Sequence, residues 1–162
     1  MKQRLKTNKI ILHCSATKEG KDYKAADIKK WHLQQKWEDI GYHFVLDLDG
    51  TIETGRDERM IGAHTSGQNS DSIGICYVGG CDNNMKPKDT RTKEQKQSMY
   101  SLVYKLLTKY KLNLSNVYCH NQFANKACPS FSIGTFKQEY LDWLNEPKTI
   151  TCPHCGKNIQ LE

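Results

Sequence analysis

The segment from Thr92 to Tyr110 constrains the architecture more than any other part of the chain. Its apolar side chains, Met99, Leu102, Val103, Leu106, Leu107 and Tyr110, recur at steps of 3, 1, 3, 1 and 3. Residues three and four apart share one face of a helix, so this spacing predicts an amphipathic α-helix of about five turns. Thr92, with Gln95 three residues later, forms a capping box that sets its start. Such a stripe must be buried against a second apolar surface. Short β-prone runs supply one. Lys9–His13 (KIILH) and Ser72–Val78 (SIGICYV) are short, rich in β-branched residues and apolar, and read as buried strands.

The remaining elements follow by the same reasoning. Ala25, Ile28 and Trp31 recur at threes, which predicts a helix over 25–35. Tyr42–Leu46 and Thr51–Thr54 flank Asp49-Gly50, a strong signal for a hairpin. Gly79-Gly80 ends the strand that begins at Ser72, and Asp82–Arg91 is a polar loop. Asn116–His120 reads as a short strand. The last helix runs from Ile133 to Leu144, with Phe136, Tyr140 and Leu144 on one side, and Pro147 stops it. The order β-α-β-β-β-α-β-α predicts an α/β domain over residues 1–147, a single mixed central β-sheet flanked by helices, followed by a short tail, 148–162.

The bulk properties narrow the function classes. At 162 residues the chain can bury a core as one domain without a metal or disulfide to hold it. It contains no apolar run of about 18 residues, so no membrane insertion is expected. The first residues, MKQRLKTNKIILHCSA, are basic, but the apolar run Ile10-Ile11-Leu12 is far short of the roughly 7–15 residues of a secretory signal. Synthesis in the cytoplasm is the expectation. Seven cysteines cannot all pair, and reduced thiols are the default there. The net charge of +6 comes from scattered lysines with no tight arginine cluster, so a solvated surface or a diffuse attraction to an anionic cell surface is expected, and no nucleic-acid partner.

Chemistry concentrates at strand ends. His13 closes the first strand and is followed by Cys14. His120 closes a later strand and is preceded by Cys119. Side chains alternate across a strand, so if the histidines face one way the two cysteines face the other, into packing. Cys128 lies in the loop after His120 and can return to the same strand end. Two imidazoles and one thiolate leave a fourth tetrahedral position open, the pattern of a catalytic zinc and not of a closed structural one. The competing reading, unrelated core and surface side chains, is not eliminated by spacing alone. Lys126 reads as a surface charge or as an oxyanion-stabilising group beside Cys128. Tyr42 reads as packing or as a hydroxyl donor.

Four ordered stretches carry a resemblance. They are ILHCSAT (11–17), GYHFVLDLDGTI (41–52), GRDERMIGAHTSGQNSDSIGI (55–75) and HNQFANKACPS (120–130). Together they resemble the type 2 N-acetylmuramoyl-L-alanine amidases, a family that includes phage lysozyme-type amidases and peptidoglycan-recognition proteins. The likeness covers roughly residues 8–145. It implies that family's fold and a hydrolase that cuts the amide between the lactyl group of N-acetylmuramic acid and L-alanine. Carried over position by position, it implies zinc on His13, His120 and Cys128, catalytic roles for Tyr42 and Lys126, and a substrate-binding place for His64. It further implies peptidoglycan or muropeptides as partner, a monomer, and action on the cell wall after release, as in a phage-type lysis enzyme. The alternatives it leaves are a non-catalytic peptidoglycan-binding module and a cytosolic muropeptide-recycling amidase. Cys128 stands where some branches have Asp, Tyr42 where those branches have Glu, and Ser132 where many relatives have Asp.

The tail is separate. Cys152-Pro153-His154-Cys155 resembles one knuckle of a zinc ribbon, whereas a structural zinc site takes four ligands. Cys152 and Cys155 therefore read as a possible second metal site completed by another chain or domain, or as an unstructured remnant. A redox pair is disfavoured, because no β-α-β pattern surrounds it.

Overall fold

The computed structural model describes residues 1–146, together with the backbone of residues 149–151 and 158–160. Its framework is a five-stranded sheet of order β4-β3-β5-β1-β7. The strands are β1 (Lys9–Cys14), β3 (Phe44–Leu46), β4 (Ile52–Thr54), β5 (Ser72–Tyr77) and β7 (Val117–Cys119). All pairs are parallel except β3–β4. That hairpin turns at Asp49-Gly50, where Gly50 has φ +85° and the Asp49 carboxylate accepts the Thr51 N–H at 2.8 Å. A side chain at Gly50 would also meet the Glu94 carbonyl, so both the dihedral and the close approach require glycine.

Three helices cover the sheet, α1 (Ala25–Gln34), α2 (Lys93–Tyr110) and α3 (Ile133–Asn145). One face packs on α2 and α3. There Ile10, Leu12, Ile73, Ile75 and Tyr77 meet Met99, Val103, Leu106, Phe136 and Tyr140. On the other face Val45, Cys76 and Val78 cluster with Ala25, Ile28 and Ile40. A parallel sheet needs cover on both faces, which is why β1 and β5 are continuous apolar runs. The capping box of α2 forms as expected, with the Gln95 N–H donating to Thr92 Oγ1 and the Thr92 N–H to Gln95 Oε1, both at 3.0 Å. Gln95 does more than cap. Its buried side-chain amide donates to the carbonyls of Leu46 and Val78, pinning the helix start to two strand ends. Ser132 caps α3 by accepting the Thr135 N–H at 3.0 Å. Asp is equally good at that position, which gives Ser132 a physical reading as a cap.

The structure departs from the sequence reading in small ways. Tyr42 lies just before β3, and His120 begins a 3-10 turn, His120–Gln122, after β7 has ended. Leu144 stays at the surface while Phe136 and Tyr140 are buried. Beyond the Gly79-Gly80 break the chain pairs once more, as β6 (Gly80–Cys81) against β2 (Thr17–Lys18). Positive φ at both glycines turns this piece out of the main sheet. In the tail, β8 (Thr149–Thr151) and β9 (Asn158–Gln160) pair antiparallel. Pro147, Cys152 and Cys155 lie outside the described residues.

An ion cluster ties α2 to α3 and to the segment before it. The Arg91 guanidinium is fully buried, 3.7 Å over the Phe131 ring, and donates to Asp89 and Glu139 at 2.8 and 2.9 Å. Burial opposes ionisation of Glu139, but Lys96, Arg91 and Tyr100 outweigh it and hold the carboxyl below its ordinary value. Its stabilisation is therefore complete above the unfolded carboxylate pKa of about 4 and is lost as pH falls through the lower folded value. Replacing Arg91 with alanine should cost about 3–5 kcal/mol by urea unfolding at pH 7. The loss of stability of the unaltered protein on acidification below about pH 4 should be shallower in that variant.

Candidate metal centre and its groove

The site lies at the carboxyl ends of the parallel strands, where chains leave the sheet and open a crevice. Alternation along β1 sends Ile10, Leu12 and Cys14 toward α2 and α3. His13 goes to the opposite face, in register with Cys76. His120 follows directly on β7, which pairs beside β1. The loop after it is anchored at several points. Asn121 donates to the Phe131 carbonyl, Tyr77 Oη to the Pro129 carbonyl at 2.8 Å, and Ser130 Oγ to the Gly80 carbonyl at 2.8 Å. These bonds fold Cys128 back onto the strand end. One ligand atom from each of His13, His120 and Cys128 then lies within 4.8 Å of the others, and the three can hold a metal ion.

The details suit that use. His13 Nδ1 is 3.7 Å from Cys128 Sγ, and the sulfur receives the Cys14 backbone N–H at 3.2 Å. Cys14 thus reaches the site through its main chain, and its buried thiol also lies beside that of Cys128. His13 is completely buried, and burial, with the neighbouring His64 and His120 rings and Lys126, holds its pKa well below the usual histidine range. Burial and Lys126 also lower His120. Both imidazoles are then neutral at pH 7 with a lone pair to offer. The other nitrogen of His13, Nε2, faces His64 Nδ1 at 3.0 Å and Thr65 Oγ1 at 3.3 Å. The Tyr42 ring lies 5.1 Å from the His13 ring. Burial and the nearby thiols Cys76, Cys128 and Cys14 raise the Tyr42 phenol well above its ordinary value, so it keeps its proton.

Beside the cluster runs a groove of about 410 Å³, within the range of small-ligand sites. His120, Lys126, His64, Thr65, Trp37 and Phe123 are among its lining residues. Its Trp37 wall is braced from behind. The Trp37 ring stacks on His32 of α1 at 4.4 Å, and His32 Nδ1 accepts the Gly41 N–H at 3.0 Å. The buried Arg56 donates to the carbonyls of Ile40 and Ile61, both at 2.7 Å, binding two wall segments together.

The structure gathers His13, His120 and Cys128, sets Tyr42 against His13, and puts Lys126 and His64 along the groove. Reading the sequence did not single out Thr65, His32 or Arg56. Their contacts form only once loops and strand ends have met, as between Thr65 and His13 or Arg56 and Ile40, and no period or spacing marks them.

The comparisons with known proteins bear on this geometry. A family model described as N-acetylmuramoyl-L-alanine amidase matches residues 3–131, most of the chain and all six of these residues. The chain belongs to that amidase family. It is 46% identical over 132 residues to an endolysin of Escherichia phage T7, covering 82% of this chain and 86% of that one. An endolysin of Klebsiella phage KP32 is 38% identical over 152 residues, covering 94% and 95%. Among solved structures, an N-acetylmuramoyl-L-alanine amidase of Clostridium intestinale superposes with a TM-score of 0.71 at 28% identity, covering 84% of this chain and 86% of that one.

One property of this amidase-family chain is steric. A Cβ on Gly74 of β5 would fall 2.6 Å from the His64 ring, and one on Gly62 would fall 2.5 Å from it. The imidazole is therefore packed too close to both glycines to leave room for a side chain on either. Gly74→Ala should cost about 1–3 kcal/mol, since overpacking a buried ring forces it out of place. The check is a lower urea midpoint at unchanged slope.

Proposed function

We propose that this chain hydrolyses the amide between the lactyl group of N-acetylmuramic acid and L-alanine of the peptidoglycan stem peptide, using zinc held by His13, His120 and Cys128. The observation that carries the proposal is the convergence of two imidazoles and one thiol at the edge of a groove, in a chain of the amidase family. The donor set fits the metal. Mixed nitrogen and sulfur donors favour zinc over magnesium or calcium, and three protein donors leave a position for water or substrate. The backbone N–H aimed at Cys128 Sγ suits a thiolate there. When bound, zinc supplies a Lewis acid and lowers the pKa of a water to about 7.

The chain's own groups provide the rest. Trp37 and Phe123 offer apolar walls that position sugar and peptide and reduce water access. Lys126, on the groove lining, brings a positive charge to meet the negative charge that develops on the carbonyl oxygen. Tyr42, still protonated at neutral pH, has a proton to share with the leaving alanine nitrogen. Likeness to phage endolysins supports a role in wall lysis.

Digestion of purified peptidoglycan tests the reaction. Mass spectrometry should find free stem peptides beginning with L-alanine and glycan strands stripped of peptide, and a chelator should abolish both. Cleavage between sugars or inside the peptide would overturn the assignment, as would intact muropeptides that are bound but never cut. Cys128→Ala should lose bound zinc and activity together. Lys126→Ala should keep zinc and lose roughly 10²–10³-fold in kcat, the scale of one oxyanion contact.

A further inference from the structure

We infer that His64 is a positioning residue for the metal centre, holding His13 in the tautomer that carries its proton on Nε2 and so presenting Nδ1 to the metal. The inference rests on the zinc reading above and assigns the centre a supporting shell.

The geometry allows His13 to use only one nitrogen. Nδ1 faces Cys128 Sγ at 3.7 Å. Nε2 is enclosed by His64 Nδ1 at 3.0 Å and Thr65 Oγ1 at 3.3 Å. A metal shared with Cys128 must therefore bind Nδ1, which leaves Nε2 as the N–H. That proton needs an acceptor, since a buried donor without one is costly. His64 Nδ1 is placed to accept it. His64 then carries its own proton on Nε2, which lies 3.3 Å from Ser72 Oγ. The reversed pattern, with His64 Nδ1 donating to His13 Nε2, would put a proton on His13 Nδ1 and block the metal. The two patterns are exclusive, and metal binding selects the first.

His64 is also built in rather than free to swing. Only 8% of it is exposed, and its ring is confined between Gly62 and Gly74. Asn69 Oδ1 accepts both the His64 and the Thr65 backbone N–H, at 2.9 and 2.8 Å, fixing the turn that carries them. Both ring nitrogens are engaged inside the protein although the residue borders the groove. A side chain whose purpose was to grip substrate would keep one nitrogen free.

The test uses the full chain and zinc alone as probe. Zinc affinity is measured by competition with a chromogenic chelator for the unaltered protein, His64→Ala and His64→Gln, with the fold of each metal-free form followed by circular dichroism. His64→Ala should weaken zinc binding about 10–100-fold. His64→Gln should recover most of that loss, because its side-chain oxygen can accept from His13 Nε2–H. Long-range proton–nitrogen NMR correlations of the zinc-loaded protein should show His13 protonated at Nε2. Unchanged zinc affinity in both variants, with only KM raised, would make His64 a substrate contact and overturn the inference. Should His64→Ala fail to fold, His64→Gln and the His13 tautomer of the unaltered protein decide, and a proton on Nδ1 in the zinc-loaded state would overturn it. Failure of the unaltered protein to bind zinc would defeat the zinc reading itself, and this inference with it.

Discussion

His13 has no solvent contact, and both of its ring nitrogens must find polar partners inside the protein. A buried polar group left unsatisfied costs about 1–3 kcal/mol, so the surroundings of this one residue are under strong constraint. On one side stand Cys128 and His120. On the other stand His64 and Thr65, themselves held by Ser72 and Asn69. These groups come from the turn at 62–69, the start of β5, and the 3-10 turn and loop that follow β7. Satisfying His13 therefore fixes the relative positions of β1, β5, the turn at 62–69 and the loop at 121–130.

That constraint explains why catalytic equipment can sit on a domain this small. The sheet is covered on both faces, so β1 cannot shift without disturbing two hydrophobic clusters. The rigid strand holds His13, and the loops bring its partners to it. The groove wall is fixed independently, by Arg56 spanning two segments and by His32 stacked behind Trp37. Tyr42 lies between these two constructions, in contact with His13 and 5.6 Å from the His32 ring. A substrate entering the groove thus meets preorganised groups, and little binding energy is needed to assemble them.

Several of the lysines sit in local ion pairs. Lys9, Lys24, Lys88, Lys96 and Lys109 are each paired with a carboxylate. Pairs open to solvent contribute little to stability, because water screens them. The Arg91 cluster differs because its guanidinium is fully enclosed, and it locks α3 against α2. That lock lies on the far face of the sheet from His13, so it serves the frame and not the chemistry.

Local periodicity made the elements readable. The stripe from Met99 to Tyr110, the box of Thr92 and Gln95, the Asp49-Gly50 turn and the runs around Ile11 and Ile75 each carry their own signal, because backbone geometry repeats every 3.6 or 2 residues. Strand alternation also separated His13 from Cys14, and four ordered motifs pointed to the family. What the sequence by itself determined was therefore the set of elements and the candidate donors. It did not determine that Cys14 would serve Cys128 through its backbone, that Gly62 and Gly74 would crowd His64, or that Arg56 would tie Ile40 to Ile61. Only the tertiary structure decided those points, since each needs a contact between distant segments, Cys14 with Cys128, Gly74 with His64 and Arg56 with Ile40, that forms only when the sheet is in place and the loops have closed over its end.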